Sequence, residues 1–359
     1  RCLDELVPPM MLLAVFVLTW TMKEHELLPP SNERFLFFAA SGVLCLSFAV
    51  RPVRFGIGMA TIALAFLWYP TPYGKTLYAD RSFFGAYRVT LDLETKKHVL
   101  FQGTTIHGAQ SIEPNLRLKP MSYYHRTGPA GQVLSVRSKL QPNGSIAVVG
   151  LGSGALACHG TPAQKFTFYE IDPLVEKIAR DQKLFTYLRD CPPRSEVVIG
   201  DARISLAREA NRRHDILILD AFSSDAVPTH LLTREAIELY LSRTAPDGLL
   251  LFHISNRYLD LAPVLVRLAT SLHLVALIQN DFQVSSQENG EGKSGSRWVI
   301  LARYENAVAP FLNDRRWQRP DPRLVADLWT DDFSNVLNVV SFSNWHTLQD
   351  LDRAWRRLF

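Results

Sequence analysis

Beyond Ser145 the chain alternates short apolar runs with segments of helical period, a pattern that few folds can accommodate. The apolar runs are Ser145–Val149, Phe166–Glu170, Glu196–Ile199, Asp215–Asp220, Leu249–Ile254, Leu274–Ile278 and Trp298–Ala302. Between them, Pro173–Lys183, Ile204–Arg212, Arg234–Arg243 and Ala262–Ser271 read as helices. Strands too apolar to alternate are buried on both faces, as in a mostly parallel sheet covered by helices on either side. The expected fold class is α/β, with a seven-stranded Rossmann-like sheet.

The first 75 residues read differently. Val7 to Met22, Phe35 to Val50 and Phe55 to Gly74 carry no Asp, Glu, Lys, Arg or His, and each is bracketed by charge. Their apolar parts, about 13–16 residues, make helices of roughly 20–24 Å, slightly short of the ~30 Å hydrocarbon core of a bilayer. Three in succession, with Trp20, Trp68 and Tyr69 near their ends, set up the expectation of about three transmembrane helices and contact with membrane lipid. Three basic residues on one side against four on the other leave the orientation open. The chain starts at Arg1 rather than Met, which leaves room for further spans upstream.

Charge and cysteine usage narrow the classes. The 39 Lys and Arg against 35 Asp and Glu give a net +4, dispersed without a basic block, so no nucleic-acid partner is expected. Cys2, Cys45, Cys158 and Cys191 form no C-x-x-C pair, so neither a zinc site nor a disulfide framework is expected, and a reducing compartment fits. Between the apolar segments and the alternating region, Tyr87–Leu93 and His98–Phe101 flank the polar turn Glu94-Thr-Lys-Lys97 and read as a small antiparallel sheet. The expected domains are therefore 1–74 (transmembrane), 75–120 (a small β gate) and 121–359 (the Rossmann-like domain).

The ends of the strands carry the chemistry. Ile146–Val149 runs into Gly150-Leu-Gly152-Ser153-Gly154 and then a helix, a turn sharp enough to let a ligand lie against backbone. The next strand ends in Glu170-Ile-Asp172, whose carboxylate can accept from both hydroxyls of a ribose; the spacing suits a dinucleotide as well as an S-adenosyl compound. The third ends at Gly200-Asp201-Ala202, where an acid can accept from an exocyclic adenine amine. Together they mark a nucleoside site in a class I methyltransferase-like fold. The fourth strand delivers Asp220, with Asp225 five residues on, and paired acids suit a cationic substrate from which one takes a proton.

These motifs resemble the polyamine aminopropyltransferases, the spermidine synthases. Leu100-Phe-Gln-Gly103 and Tyr123-Tyr124-His125 agree, and His107-Gly-Ala-Gln110, the Asp220 motif and Trp329-Thr-Asp-Asp-Phe-Ser-Asn335 resemble the branch in which the synthase is fused to membrane helices. The resemblance runs from about residue 35 to 340.

The resemblance implies a donor, decarboxylated S-adenosylmethionine, whose aminopropyl group passes to an amine as methylthioadenosine leaves, with no metal. Asp220 would be the base, helped by Tyr124, with Asp225 on the far amine or the donor's ammonium. Gly150, Gly152, Ser153, Gly154, Glu170, Asp172, Asp201 and Ala202 would bind the donor, Glu170 at the ribose and Asp201 at adenine. Gln110, His125, His107 and His230 join Asp225 as candidates for holding substrate. It also implies a homodimer, and a bacterial inner-membrane protein with its catalytic domain in the cytoplasm, where such a donor is made.

Two departures bear on this reading. Soluble spermidine synthases usually carry an aspartate where Ser153 stands, and the gap between Asp220 and Asp225 is wider than theirs. Intact S-adenosylmethionine as co-substrate of a methyltransferase, or of an enzyme that splits or cyclises it, is therefore an alternative. A non-catalytic nucleoside-binding membrane sensor is another. His253, like His230, flanks a strand end near this pocket, and Asp331 and Asp332 are further acids that could return to it.

Overall fold

The computed structural model describes residues 10–11, 13–17, 21, 33–68, 74–209, 212–221, 228–256, 258–321, 323–324 and 326–341. The chain divides into two compact units, 1–75 with 345–359, and 76–344. In the first, Glu33–Leu46 and Pro52–Trp68 are helices of 14 and 17 residues. At 1.5 Å per residue they reach about 21 and 26 Å, below the ~30 Å of a hydrocarbon core. Arg54 lies inside the second helix and shortens its apolar part further. Among the described residues no helix is long and apolar enough to cross a membrane. The expectation of three transmembrane helices is thus not borne out for the second and third stretches, and half of Val7–Met22 lies outside the described residues.

The second unit opens with a four-stranded sheet, β1 (Lys75–Arg81), β2 (Ala86–Asp92), β3 (Lys97–Gln102) and β4 (Thr105–Ser111), in sequential order. The β2–β3 and β3–β4 ladders are antiparallel. Lys96 takes the left-handed conformation (φ 51°) in the polar turn that closes β2 on β3, and Gly103 (φ 58°) does so between β3 and β4.

A helix over Pro129–Leu140 leads into the large sheet: β5 (Ser145–Val149), β6 (Lys165–Glu170), β7 (Arg194–Ile199), β8 (His214–Leu219), β9 (Thr244–His253), β10 (Val275–Asp281) and β11 (Ser296–Ala302). Their spatial order is β10-β11-β9-β8-β5-β6-β7. The pairings from β9 through β8, β5 and β6 to β7 are parallel, and β11 inserts antiparallel between β9 and β10. This is the Rossmann-like, class I methyltransferase-like sheet. Its mixed character comes from β11, whose polarity the sequence pattern does not carry.

Alternate residues of β5 feed two cores. Ile146 and Val148 pack with Phe166, Phe168 and Trp298 on one face. Ala147 and Val149 pack with Leu217, Leu219 and Leu250 on the other. Because the chain leaves β5 towards β6 on one side and returns to β8 on the other, the strand order reverses between β5 and β8. A crevice opens there at the carboxyl ends of the strands.

One expectation is corrected in this unit. Cys158 and Cys191 form a disulfide across 33 residues, with Cα atoms 4.9 Å apart. Cys158 lies in the 3-10 turn Ala155–His159 behind the glycine loop and Cys191 follows the short helix Tyr187–Asp190, both buried. Tertiary packing brings them together, so sequence spacing carries no sign of it.

Candidate active site

The glycine loop is shaped by what presses against it. Gly150 (φ 98°) lies so close to the end of β8 that a Cβ there would stand 2.3 Å from the Asp220 carbonyl oxygen. At Gly152 (φ 53°) a Cβ would meet the His107 carbonyl oxygen at 2.4 Å. Only glycine fits both the left-handed backbone and the lack of room.

A cavity of about 290 Å³ lies over this loop, and its lining includes Gly150, Gly152, Glu170, Asp201, Asp220 and His230. Glu170 is buried, and each of its oxygens accepts a backbone N–H: Oε1 from Asp172 at 2.9 Å, Oε2 from Leu151 at 3.0 Å. Burial pushes its carboxyl up, against the pull of those two donors. Asp201 caps the helix Ala202–Arg208 through Ile204 N–H (2.9 Å), and its other oxygen lies 3.3 Å from His230 Nε2. Ala202 also lines this cavity.

A smaller cavity of about 110 Å³ adjoins the first, and His107, Gly152 and Asp220 line both. Asp220 is 9% exposed and doubly held. The Tyr124 hydroxyl donates to Oδ2, and His253 Nδ1 lies 2.7 Å from Oδ1. Burial, and then the Asp220 charge, push the Tyr124 phenol well up, so it stays protonated and acts as a donor. His253 Nε2 lies 2.7 Å from Ser255 Oγ, which also accepts the Arg297 backbone N–H at 2.8 Å. The imidazole is stacked on Trp298 (centroids 4.5 Å, 18° between planes), and the Tyr123 ring lies tilted against it with centroids 4.6 Å apart.

Other candidates from the sequence stand elsewhere. Gln110 is buried and bound to Thr186 and the Arg117 carbonyl, tying β4 to the segment before Tyr187. His125 is held by Thr127 and faces Glu291 at 3.4 Å. Asp172 caps the helix Pro173–Arg180 and accepts from the Ser82 hydroxyl. Ser153 is fully buried beside Gly108, and Gly154 packs on Leu188. Asp331 pairs with Arg203 (2.5 Å) and accepts from Thr233 (2.7 Å), while Asp332 is exposed. Asp225 lies outside the described residues. Ser255 and Trp298 carry no sequence signal of a role; strand register alone brings Trp298 opposite His253. Among the described residues no cluster of three or more His, Cys, Asp or Glu could hold a metal ion.

No family model matches the chain. A stretch of 95 residues, 25% of the chain, is 33% identical to the polyamine aminopropyltransferase of Vibrio vulnificus (strain CMCP6). Over that stretch the chain is similar to a polyamine aminopropyltransferase. It spans 30% of that relative's length. Among solved structures, a probable spermidine synthase from Corynebacterium glutamicum superimposes with a TM-score of 0.49 at 15% identity, over 74% of this chain and 99% of that one. The spermidine synthase of Thermotoga maritima gives 0.47 at 15% identity, over 78% and 88%.

Proposed function

We propose that this chain is an aminopropyltransferase, moving the aminopropyl group of decarboxylated S-adenosylmethionine to an amine. One observation carries the reading: Asp220 lines both a cavity over the glycine loop and a smaller one beside it, so a donor and an acceptor bound in the two would meet at its carboxylate. The likeness to a polyamine aminopropyltransferase supports the same class of reaction.

The chemistry asks little of the donor side. The sulfonium already makes the adjoining carbon electrophilic, so Glu170 and Asp201 need only hold ribose and adenine. The amine must be neutral to attack. The Asp220 cluster attracts it as an ammonium, orients it and removes its proton, joining positioning to general-base catalysis. The C–N bond then forms as the C–S bond breaks, and the sulfur keeps the electron pair in methylthioadenosine.

Product analysis tests this. The full chain, incubated with decarboxylated or intact S-adenosylmethionine and with or without diamines and polyamines, is expected to release methylthioadenosine only when an amine is present. S-adenosylhomocysteine would instead mark methyl transfer, and methylthioadenosine without any amine would mark cleavage or cyclisation. Either outcome overturns the proposal.

A further inference from the structure

His253 sits between the Asp220 carboxylate and the Ser255 hydroxyl. A carboxylate has only acceptors, so the ring nitrogen facing Asp220 Oδ1 at 2.7 Å carries hydrogen, and the lone pair is left on Nε2. That lone pair points at Ser255 Oγ, 2.7 Å away. With the lone pair on Nε2, the serine hydroxyl donates to it, and its oxygen accepts the Arg297 backbone N–H. Tyr123 and Trp298 pack against the ring, their centroids 4.6 and 4.5 Å from its own, and hold it in place. Ser255 is half-buried and lines the small cavity with Asp220 and Tyr124, so the row Asp220–His253–Ser255 ends where an acceptor would lie.

Asp220, by contrast, already accepts from both Tyr124 and His253. The titratable groups around the ring are Asp220 at the end of β8, Tyr123 and Tyr124 before the helix Pro129–Leu140, and His107 on the cavity wall. Arg297 of β11 turns its guanidinium to Asp260 at 2.8 Å.

We propose that the proton leaving the acceptor ends on His253 Nε2, delivered through Ser255 Oγ, while Asp220 fixes the tautomer and balances the imidazolium. Before the C–N bond forms, the ammonium's N–H proton passes to Ser255 Oγ and the serine's own passes to Nε2; the neutral amine then attacks as the C–S bond breaks and the sulfur keeps the electron pair. The imidazolium later gives one proton to water. This rests on the transfer reading above and identifies the atom that takes the proton.

The test is the pH profile of kcat/KM for the amine, in the natural chain, His253→Gln and Ser255→Ala, with methylthioadenosine affinity measured on each. His253→Gln is expected to lower kcat by about 10²–10⁴-fold, abolish the acidic limb of the profile and leave affinity within about threefold. Ser255→Ala should cost about tenfold or more and keep that limb. A His253→Gln enzyme within about threefold of the natural rate, with its acidic limb intact, overturns the proposal. Should that variant fail to bind methylthioadenosine, Ser255→Ala decides, and an unchanged kcat overturns it. Histidine nitrogen NMR is a readout independent of turnover: Nδ1–H is expected on His253, and an Nε2–H tautomer sinks the relay even where transfer is observed. A natural chain that binds methylthioadenosine but releases none with any amine overturns the transfer reading, and the relay with it.

Discussion

Glu170 and Asp201, which line the large cavity and not the small one, are fixed by backbone N–H groups, whereas around the small cavity the side chains fix each other. Glu170 takes hydrogen bonds from Leu151 and Asp172, and Asp201 takes one from Ile204. Asp220, Tyr124, His253 and Ser255 form a row of side chains backed by Trp298. Backbone donors come with the strand–loop–helix geometry and suit a ligand that is only held. A side-chain row can change protonation in place, which a reacting amine requires.

The comparison breaks most visibly at Asp220. Asp220→Asn keeps the shape but puts an amide where both Tyr124 and His253 need an acceptor. We expect kcat to fall by about 10³-fold or more, with methylthioadenosine affinity within a few fold. Single-turnover kinetics with calorimetry on the same preparation checks both, and full activity in the variant would remove the small cavity from the chemistry.

The same contrast explains what could be read in advance. Two strands of the large cavity's wall announce their acids locally: Glu170 ends its strand just before a helix cap, and Asp201 follows Gly200 and is itself a helix cap. The small cavity is lined from β4, the segment before Pro129, the glycine loop and the ends of β8 and β9, and behind it the register Trp298↔His253 of the antiparallel β11 joins residues 45 apart. Asp220 was legible because it too ends a strand, and Tyr124 through resemblance. His253 was marked only by its place at a strand end near the pocket, while resemblance pointed to His125, which is held by Thr127 and lies beside Glu291. The N-terminal stretches misled for a different reason: freedom from charge was visible, but helix boundaries, with Arg54 inside one, were not.

Acid should test whether the two walls stand or fall together. His159, behind the glycine loop, lies with Nε2 2.7 Å from the Tyr124 carbonyl, and burial holds its pKa down to about 4. His214 opens β8, bonded to Ser145, and burial also brings it to about 4. With folded values below the ordinary 6.5, the unfolded chain binds more protons in this window. Stability is therefore full above about pH 6.5 and lost as pH falls towards 4. Each imidazole costs about 2 kcal/mol at pH 5 relative to neutral. Glu170 and Asp281, whose carboxyls burial pushes up, offset part of this. Denaturant midpoints from pH 7 to 5 should fall in a single transition, and His159→Gln should flatten the fall. Two separable transitions would show that the walls are independent.

The smallest expected effect sharpens the comparison most, because it must touch one wall alone. Glu170→Gln leaves size and polarity nearly unchanged but replaces one of two acceptor oxygens with a donor. Either Leu151 N–H or Asp172 N–H then faces an amide N–H₂ at about 3 Å. Losing one hydrogen bond to a charged group costs about 1.5–3 kcal/mol, part of which falls on stability rather than on the ligand. We expect methylthioadenosine to bind about tenfold more weakly while kcat at saturating donor stays within about twofold, a loss of uniform binding. The opposite pattern, unchanged affinity with a fallen kcat, would place Glu170 in the reaction and erase the distinction between a wall that holds and a wall that reacts.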